Sequence, residues 1–236
     1  MQKKAVSKKN GLPIIVSVGG SLIVPDGIDT HFLSTFKDII VKHIKRGHRF
    51  IIISGGGKTA RNYQDAVRAV TSLTIEDVDW IGIHSTRLNA HLMRSIFHTY
   101  SHPRVIKNPH EDLLFREKIL VAGGWKPGFS TDYDAVLLAR NIGAKKIINL
   151  SNIDYVYNKD PRKYKNAIPL PTLTWGEFRK LIPKKWSPGL SSPFDPVASK
   201  LAQELGIEVA IVNGQKIHEL DNYLSGKKFM GTKISD

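Results

Sequence analysis

Three glycine clusters stand directly after short apolar runs of the chain: Gly19-Gly20-Ser21, Gly55-Gly56-Gly57 and Gly123-Gly124. Glycine allows positive φ angles and lacks the Cβ that would keep a ligand away from the main chain. A helix that begins after such a turn presents free N–H groups and the positive end of its dipole to an anion. One glycine turn is explained by tight-turn geometry alone. Three of them together predict a site for a phosphate-bearing ligand.

The residues around the second and third clusters fit this chemistry. Lys58 and Arg61 follow the second cluster within the first helical turn, and hydroxyl groups follow the third in the segment 123–132. A guanidinium group binds phosphate oxygens in a bidentate manner. Cations and hydroxyl donors beside glycine loops therefore favour phosphate chemistry over a purely structural turn.

Other recognisable motifs are excluded. Gly57-Lys58-Thr59 resembles the end of a P-loop, but that motif needs glycine at the position of Ile52, which lies in an apolar run. No GxGxxG follows a strand, and no HExxH is present. His84, His91 and His98 are spaced as one face of a helix. The chain has no cysteine, which excludes disulfides, cysteine-based zinc sites and a thiol nucleophile.

The elements that would position these residues alternate between strand-length apolar runs and amphipathic stretches. The predicted strands are 13–18, 50–53, 118–122, 146–150 and 207–212. The predicted helices are 29–44, 59–70, 86–99, 131–141, 175–182, 195–205 and 215–224, and the region 158–196 is Pro-rich, basic and less regular. This alternation predicts an α/β fold with a mainly parallel sheet, whose strands carry ligands at their carboxyl ends.

Composition limits the broad class of protein. The chain has 236 residues, 41% of them hydrophobic, and a formal net charge of +14. No apolar run is long enough for a membrane span, and no secretory signal follows the basic first residues, so we expect a cytoplasmic protein without a membrane partner. The net charge favours anionic partners. Because no nucleic-acid-binding motif accompanies it, a polynucleotide partner is the weaker interpretation.

Six motifs together resemble the amino acid kinase superfamily, and within it the archaeal-type uridylate (UMP) kinases. They are GGS at 19–21, GGGKTAR at 55–61, STRLNA at 85–90, GGWKPGFSTD at 123–132, SNIDYVYNKDPRK at 151–163 and DPVASK at 195–200. The resemblance implies a three-layer α/β/α sandwich. It also implies a basic tail at 1–12 and one domain at 13–236, with an acceptor-side lobe at about 13–143 and an ATP-side lobe at about 144–236.

The resemblance further implies transfer of the γ-phosphoryl group of ATP·Mg²⁺ to UMP, by a protein that forms homo-oligomers, commonly hexamers. The acceptor is already anionic and needs no base, so catalysis consists of positioning and charge stabilisation. Mg²⁺ is expected to arrive with ATP rather than in a metal site built by the protein.

The same resemblance assigns roles to individual residues. It places Arg61, Asp132 and Lys200 in catalysis. It places the ATP at Gly20, Ser21, Gly57, Arg61, Ser151, Asn152, Tyr157 and Asp160. It places UMP at Gly56, Asp79, Trp125, Lys126, Pro127, Gly128, Phe129, Ser130 and Thr131. Without the family, Asp79 and Asp132 are ordinary acids near a helix start, Tyr157 is a packing residue, and Arg61 and Lys200 are surface cations.

Two features depart from the family pattern or have no place in it. Ser17 occupies a position where many relatives carry lysine, and the segment Trp186 to Phe194 has no assigned role. Two alternatives therefore stay open: an isopentenyl phosphate kinase-like enzyme and a nucleotide-binding relative without catalysis. Isopentenyl phosphate kinases carry histidine where this chain has Arg61, which favours a nucleotide acceptor.

Overall fold

A computed structural model describes residues 11–185, 190 and 192–236, and its centre is an eight-stranded sheet in the order β3-β4-β2-β1-β5-β9-β10-β8. The strands are β1 (Ile14–Val18), β2 (Phe50–Ser54), β3 (Ser101–Ile106), β4 (Ile119–Ala122), β5 (Lys146–Ser151), β8 (Thr172–Leu173), β9 (Glu208–Asn213) and β10 (Gly231–Ile234). A separate small ribbon pairs β6 (Val156–Tyr157) with β7 (Pro169–Leu170). Every pair in the large sheet is parallel except β9 with β10.

Helices cover both faces of this sheet. They are α1 (Gly20–Ile23), α2 (Thr30–Lys45), α3 (Gly57–Val70), α4 (Ile75–Ile96), α5 (Thr131–Ile142), α6 (Trp175–Leu181), α7 (Pro196–Glu204) and α8 (His218–Leu224). Successive residues of a strand point to opposite faces. Ile15 accordingly packs in a core with α5, α6 and α7, while Val16 packs in a second core with α2, α4 and α8. The predicted three-layer α/β/α architecture is confirmed.

Five strands were not predicted, namely β3, β6, β7, β8 and β10, nor was the short helix α1, and the start of one helix was misplaced. β3 contains Pro103, which breaks the apolar run; the strand lies at the sheet edge and has an irregular register, where proline is tolerated. The fourth helix was predicted to begin at Thr86 but begins at Ile75. A capping box between Thr74 and Asp77 starts it, and its first turns expose Ile75, which hides their apolar periodicity. β10 returns antiparallel after a basic loop.

The two predicted lobes share one sheet. β1 pairs with β2 on one side and with β5 on the other, so the sheet is continuous across the predicted boundary between residues 143 and 144. The basic tail at 1–12 lies largely outside the described residues, as does part of the segment 186–194. No helix in the described parts of the chain is long and apolar enough to cross a membrane.

Candidate active site

The carboxyl ends of β1, β2 and β4 open into a cavity of about 500 Å³. All three glycine clusters contribute to its wall. The lining residues are Gly20, Ser21, Gly55, Gly56, Gly57, Ala60, Arg61, Gln64, Asp79, Gly82, Ile83, Thr86, Gly124, Phe129, Ser130, Thr131, Asp132, Leu190, Ser192 and Asp195. The clusters that lie far apart in the sequence therefore meet at one edge of the sheet.

The first and second clusters touch through their backbones. A Cβ at Gly20 would overlap the backbone nitrogen of Gly57. Gly57 itself has φ of +64°, a conformation that L-residues with a side chain rarely adopt. The amide of Gly55 donates to the carbonyl of Val18 at 2.9 Å, which fixes the second loop against the end of β1. Glycine is therefore required here for close approach as well as for backbone conformation.

The Arg61 guanidinium beside the second cluster is available to a ligand in the cavity. Arg61 lies one turn into α3, lines the cavity and is exposed. It makes no salt bridge with any residue that the structure describes. Gln64 follows on the same face of α3, since residues three apart lie side by side on a helix, and it also lines the cavity. No role was assigned to Gln64 from the sequence, although its spacing from Arg61 was a usable signal.

The third cluster leads into an aromatic segment that closes the other side of the cavity. The rings of Trp125 and Phe129 are 5.0 Å apart, and Lys126 Nζ lies 4.2 Å from the centre of the Trp125 ring. The amide of Gly128 donates to Asp79 Oδ2 at 2.9 Å. Asp79 of α4 thus contacts the segment that was predicted to wrap the acceptor. The cavity lining includes Phe129 of this segment but not Trp125, Lys126, Pro127 or Gly128.

Two carboxylates lie close together at the floor of the cavity. Asp132, in the first turn of α5, accepts a hydrogen bond from the Asp195 amide at 3.2 Å and a long one from Ser17 Oγ at 3.5 Å. Asp195 caps α7 by accepting from the amides of Val197 and Ala198. Burial, together with the charge of Asp195, raises the pKa of Asp132 to about 7 although this residue keeps some exposure to the cavity. A nearby cation would lower that pKa again.

A third aspartate was missed from the sequence. Asp134 is 1% exposed, accepts from the amide of Trp125 at 3.0 Å through Oδ2, and has no partner for Oδ1 among the described residues. Burial raises its pKa to about 7, and the nearby Arg87 opposes this rise. In the sequence, Asp134 follows Asp132 by two positions in a predicted helix, and such an acid is typically exposed to solvent. Asp134 is buried only because of the tertiary fold.

Several residues with predicted roles lie outside this cavity. Lys200 is 65% exposed, and its Nζ is 4.0 Å from the carboxylate of Glu204 on the outer face of α7. Ser151, Asn152, Tyr157 and Asp160 do not line the cavity. Ser151 ends β5, the strand next to β1, and the other three follow it. Gly19 reaches β5 by donating to the Leu150 carbonyl. Asp160 is paired with Arg162 at 3.1 Å. The roles of these residues stay predictions.

The donors in the cavity suit a metal ion that is carried by phosphate. Among the described residues, no group of three or more His, Asp or Glu is arranged to hold a metal. Asp132 and Asp195 are the adjacent carboxylates at the floor, and both already accept main-chain hydrogen bonds. Mg²⁺ commonly binds through one or two carboxylates plus substrate phosphates, which these two residues permit.

The fold and a glycine-lined cavity at the carboxyl ends of parallel strands define a class of phosphate-binding α/β protein. The sequence profile of the amino acid kinase family matches residues 13–213, and the chain belongs to this family. A uridylate kinase from Methanococcoides burtonii is 35% identical over 204 residues, which cover 85% of this chain and 86% of that relative. A uridylate kinase from Methanobrevibacter smithii is 33% identical over 94% of this chain and 99% of the relative.

Solved structures agree with this placement. The crystal structure of uridylate kinase from Archaeoglobus fulgidus superimposes with a TM-score of 0.81 at 27% identity, covering 95% of this chain and all of that one. A UMP kinase from Bacillus anthracis superimposes with a TM-score of 0.76 at 18% identity, which is a likeness of fold alone. The family resemblance drawn from the six motifs is therefore confirmed.

Proposed function

We propose that the chain is a UMP kinase, which transfers the γ-phosphoryl group of ATP to UMP and releases UDP and ADP. The observation that carries the proposal is the meeting of three glycine clusters, Arg61 and Asp79 in one cavity. The relatives with 30–35% identity over most of their length are uridylate kinases, which supports the same acceptor.

The reaction asks for little covalent chemistry from the protein. An oxygen of the UMP phosphate attacks the γ-phosphorus of ATP, the bond from that phosphorus to the β-bridging oxygen breaks, and ADP leaves with the electron pair. Both reactants are anions, so the protein must hold them in line and offset their repulsion. The backbone amides of the first and second clusters and the guanidinium of Arg61 suit this task, because Arg61 pairs with no carboxylate among the described residues.

Asp79 suits recognition of the acceptor. Its Oδ2 accepts from the Gly128 amide, its Oδ1 accepts from no residue that the structure describes, and Asp79 lines the cavity together with Phe129. A carboxylate oxygen accepts hydrogen bonds from ribose hydroxyls. Asp79 would therefore bind the ribose and at the same time fasten the aromatic segment over it.

The floor of the cavity suits a cation. Asp132 and Asp195 would repel phosphate groups when ionised, and a cation beside them removes that repulsion. By family resemblance, Asp132 orients such cations and Mg²⁺ arrives with ATP; Mg²⁺ would supply charge neutralisation at the phosphates. Lys200 serves as a further cation in this proposal when its side chain leaves Glu204 and turns over Asp195. We further propose that the protein is cytoplasmic and forms a homo-oligomer, a hexamer by family resemblance. We also propose that it has an acceptor-side lobe and an ATP-side lobe.

The test is a coupled assay for ADP release with UMP, CMP, isopentenyl phosphate and N-acetylglutamate as acceptors. We expect UMP to give the highest kcat/KM. Turnover of isopentenyl phosphate without UMP would overturn the acceptor. Absence of turnover with all four, in a protein that binds ATP and UMP by calorimetry, would favour the non-catalytic relative that Ser17 keeps open.

A further inference from the structure

One turn of α4 contacts both the second and the third glycine cluster. Asn89 lies on the side of this turn that faces the second cluster, and Thr86 and Arg87 face the third. The turn is itself tied to the sheet, since Ser54 at the end of β2 donates to the Thr86 carbonyl. This turn of α4 therefore lies between the loops of the second and third glycine clusters. In the proposed function, the relative position of these loops sets the distance between the phosphates of the two nucleotides.

Asn89 controls the peptide planes of the second cluster. It is 3% exposed, and its Nδ2 donates to the carbonyls of Gly55 at 2.8 Å and Gly56 at 3.2 Å. In a trans peptide, the carbonyl of one residue and the N–H of the next point in opposite directions. Because both carbonyls are held toward α4, the N–H groups of Gly56 and Gly57 point away from it. These are the amides that the proposed function needs at the phosphates.

Side chains hold all four backbone polar groups of Gly124 and Trp125. Thr86 Oγ1 accepts from the Gly124 amide at 2.7 Å, and Asp134 accepts from the Trp125 amide at 3.0 Å. Arg87 donates to the carbonyls of Gly124 at 3.1 Å and Trp125 at 2.7 Å. This segment begins the loop that carries Phe129, so its position sets the acceptor side of the cavity.

We propose that Asn89 and Arg87 are positioning residues that set the spacing between the phosphate-binding loop and the acceptor loop. The inference rests on the proposed function. Asn89 acts on the amides where the two phosphates meet, whereas Arg87 acts on the acceptor side alone. The two residues therefore affect different kinetic constants although they lie two positions apart on one helix.

Hydrogen exchange on the free protein tests the contacts without any need for activity. Asn89→Ala should speed exchange at the amides of Gly55, Lys58 and Ala60, whose hydrogen bonds frame the second loop. Arg87→Met should speed exchange at Gly124 and Trp125 instead. Asn89→Ser, which is shorter but still polar, serves if the alanine variant does not fold. His91→Gln, an exposed change on the same helix, is the matched control and should change neither set.

Steady-state kinetics test the positioning. A displacement of about 1 Å costs about 100-fold in rate, so the Asn89 variants should lower kcat by about 10- to 100-fold with KM values for both nucleotides within about threefold of the unchanged protein. Arg87→Met removes two hydrogen bonds and should raise KM for UMP by about 10-fold while leaving KM for ATP nearly unchanged. Arg87→Lys should not restore the unchanged KM, because one ammonium group cannot replace the planar fork.

Two results would overturn the inference. One is that both variants melt earlier but keep kcat, both KM values and the exchange pattern of the unchanged protein, which is the behaviour of merely structural residues. The other is that both variants alter the same loop and the same constant. If the unchanged protein transfers nothing to UMP, the proposed function fails, while the loop-specific exchange pattern still decides whether Asn89 and Arg87 position the loops.

Discussion

Replacement of Asp134 by asparagine should stabilise the protein relative to the unchanged protein, and this gain should grow as pH rises. Asp134 is buried beneath the third glycine cluster with its Oδ1 unpaired among the described residues, and burial raises its pKa to about 7 from an ordinary value of 3.8. Asparagine has the same shape, cannot ionise, and still accepts the Trp125 amide through its Oδ1. The substitution therefore removes the ionisation and keeps the hydrogen bond.

The size and sign of the effect follow from proton linkage. Between pH 4 and pH 7 the folded protein holds a proton on Asp134 that the unfolded chain has lost, so stability falls as pH rises through this interval. The rise in the pKa of Asp134 from 3.8 to about 7 lowers the free energy of unfolding by about 4 kcal/mol once both states are ionised, at about 1.4 kcal/mol for each pKa unit. The Asn variant lacks this loss. The free energy of unfolding of the variant, relative to the unchanged protein, should rise by up to about 4 kcal/mol from pH 4 to pH 8. The buried amide changes stability by about 1–3 kcal/mol at every pH, so it does not alter this slope.

Urea unfolding of both proteins at pH 5, 6, 7 and 8 measures this difference directly. Asp65→Asn on α3 is the control, since it carries the same change of net charge on an exposed side chain. A stability difference between Asp134→Asn and the unchanged protein that stays constant from pH 5 to pH 8 would refute the argument. A pH-dependent difference of the same size in Asp65→Asn would refute it as well.

Four further variants test individual parts of the site. Gly20→Ala should abolish activity and lower the melting temperature in a thermal melt, since its Cβ would overlap the Gly57 backbone; activity within about threefold of the unchanged protein would contradict the close contact. Asp79→Asn should raise KM for UMP by about 10-fold or more and leave KM for ATP nearly unchanged, and equal rises would remove its ribose role. Arg61→Lys should lower kcat by about 100-fold in the coupled assay, because the bidentate fork is lost; a change below about threefold would show a surface residue. Lys200→Met should lower kcat at least about 10-fold without changing the melting temperature, and an unchanged kcat would return Lys200 to the solvent-exposed role in which the structure shows it.

The sequence was most informative where local chemistry and position in the fold coincide. Glycine directly after an apolar run marks the end of a buried strand, so the three clusters, and with them Arg61 and Asp132, could be placed at one sheet edge. The sequence was least informative where a role depends on tertiary contact. Nothing in its neighbours shows that Asp134 is buried, or that Asn89 bonds to residues more than 30 positions away.

Strand β3 and residue Lys200 show two other limits. Pro103 interrupts the apolar pattern of β3, so an edge strand reads as a loop. Lys200 follows the Asp195 cap by five positions, and helical spacing alone does not decide whether its flexible side chain faces the cavity or Glu204. Local patterns fix the type of an element better than they fix the direction of a long side chain on its surface.

We expect the cavity to bring the phosphates of two nucleotides end to end. Calorimetry with a dinucleotide that joins adenosine and uridine through five phosphates measures this most directly. We expect one equivalent per chain, an affinity at least about 100-fold above that of ATP or UMP alone, and displacement by either nucleotide, since the joined ligand loses its translational freedom only once. An affinity no greater than that of ATP alone, or displacement by ATP but not by UMP, would contradict the claim.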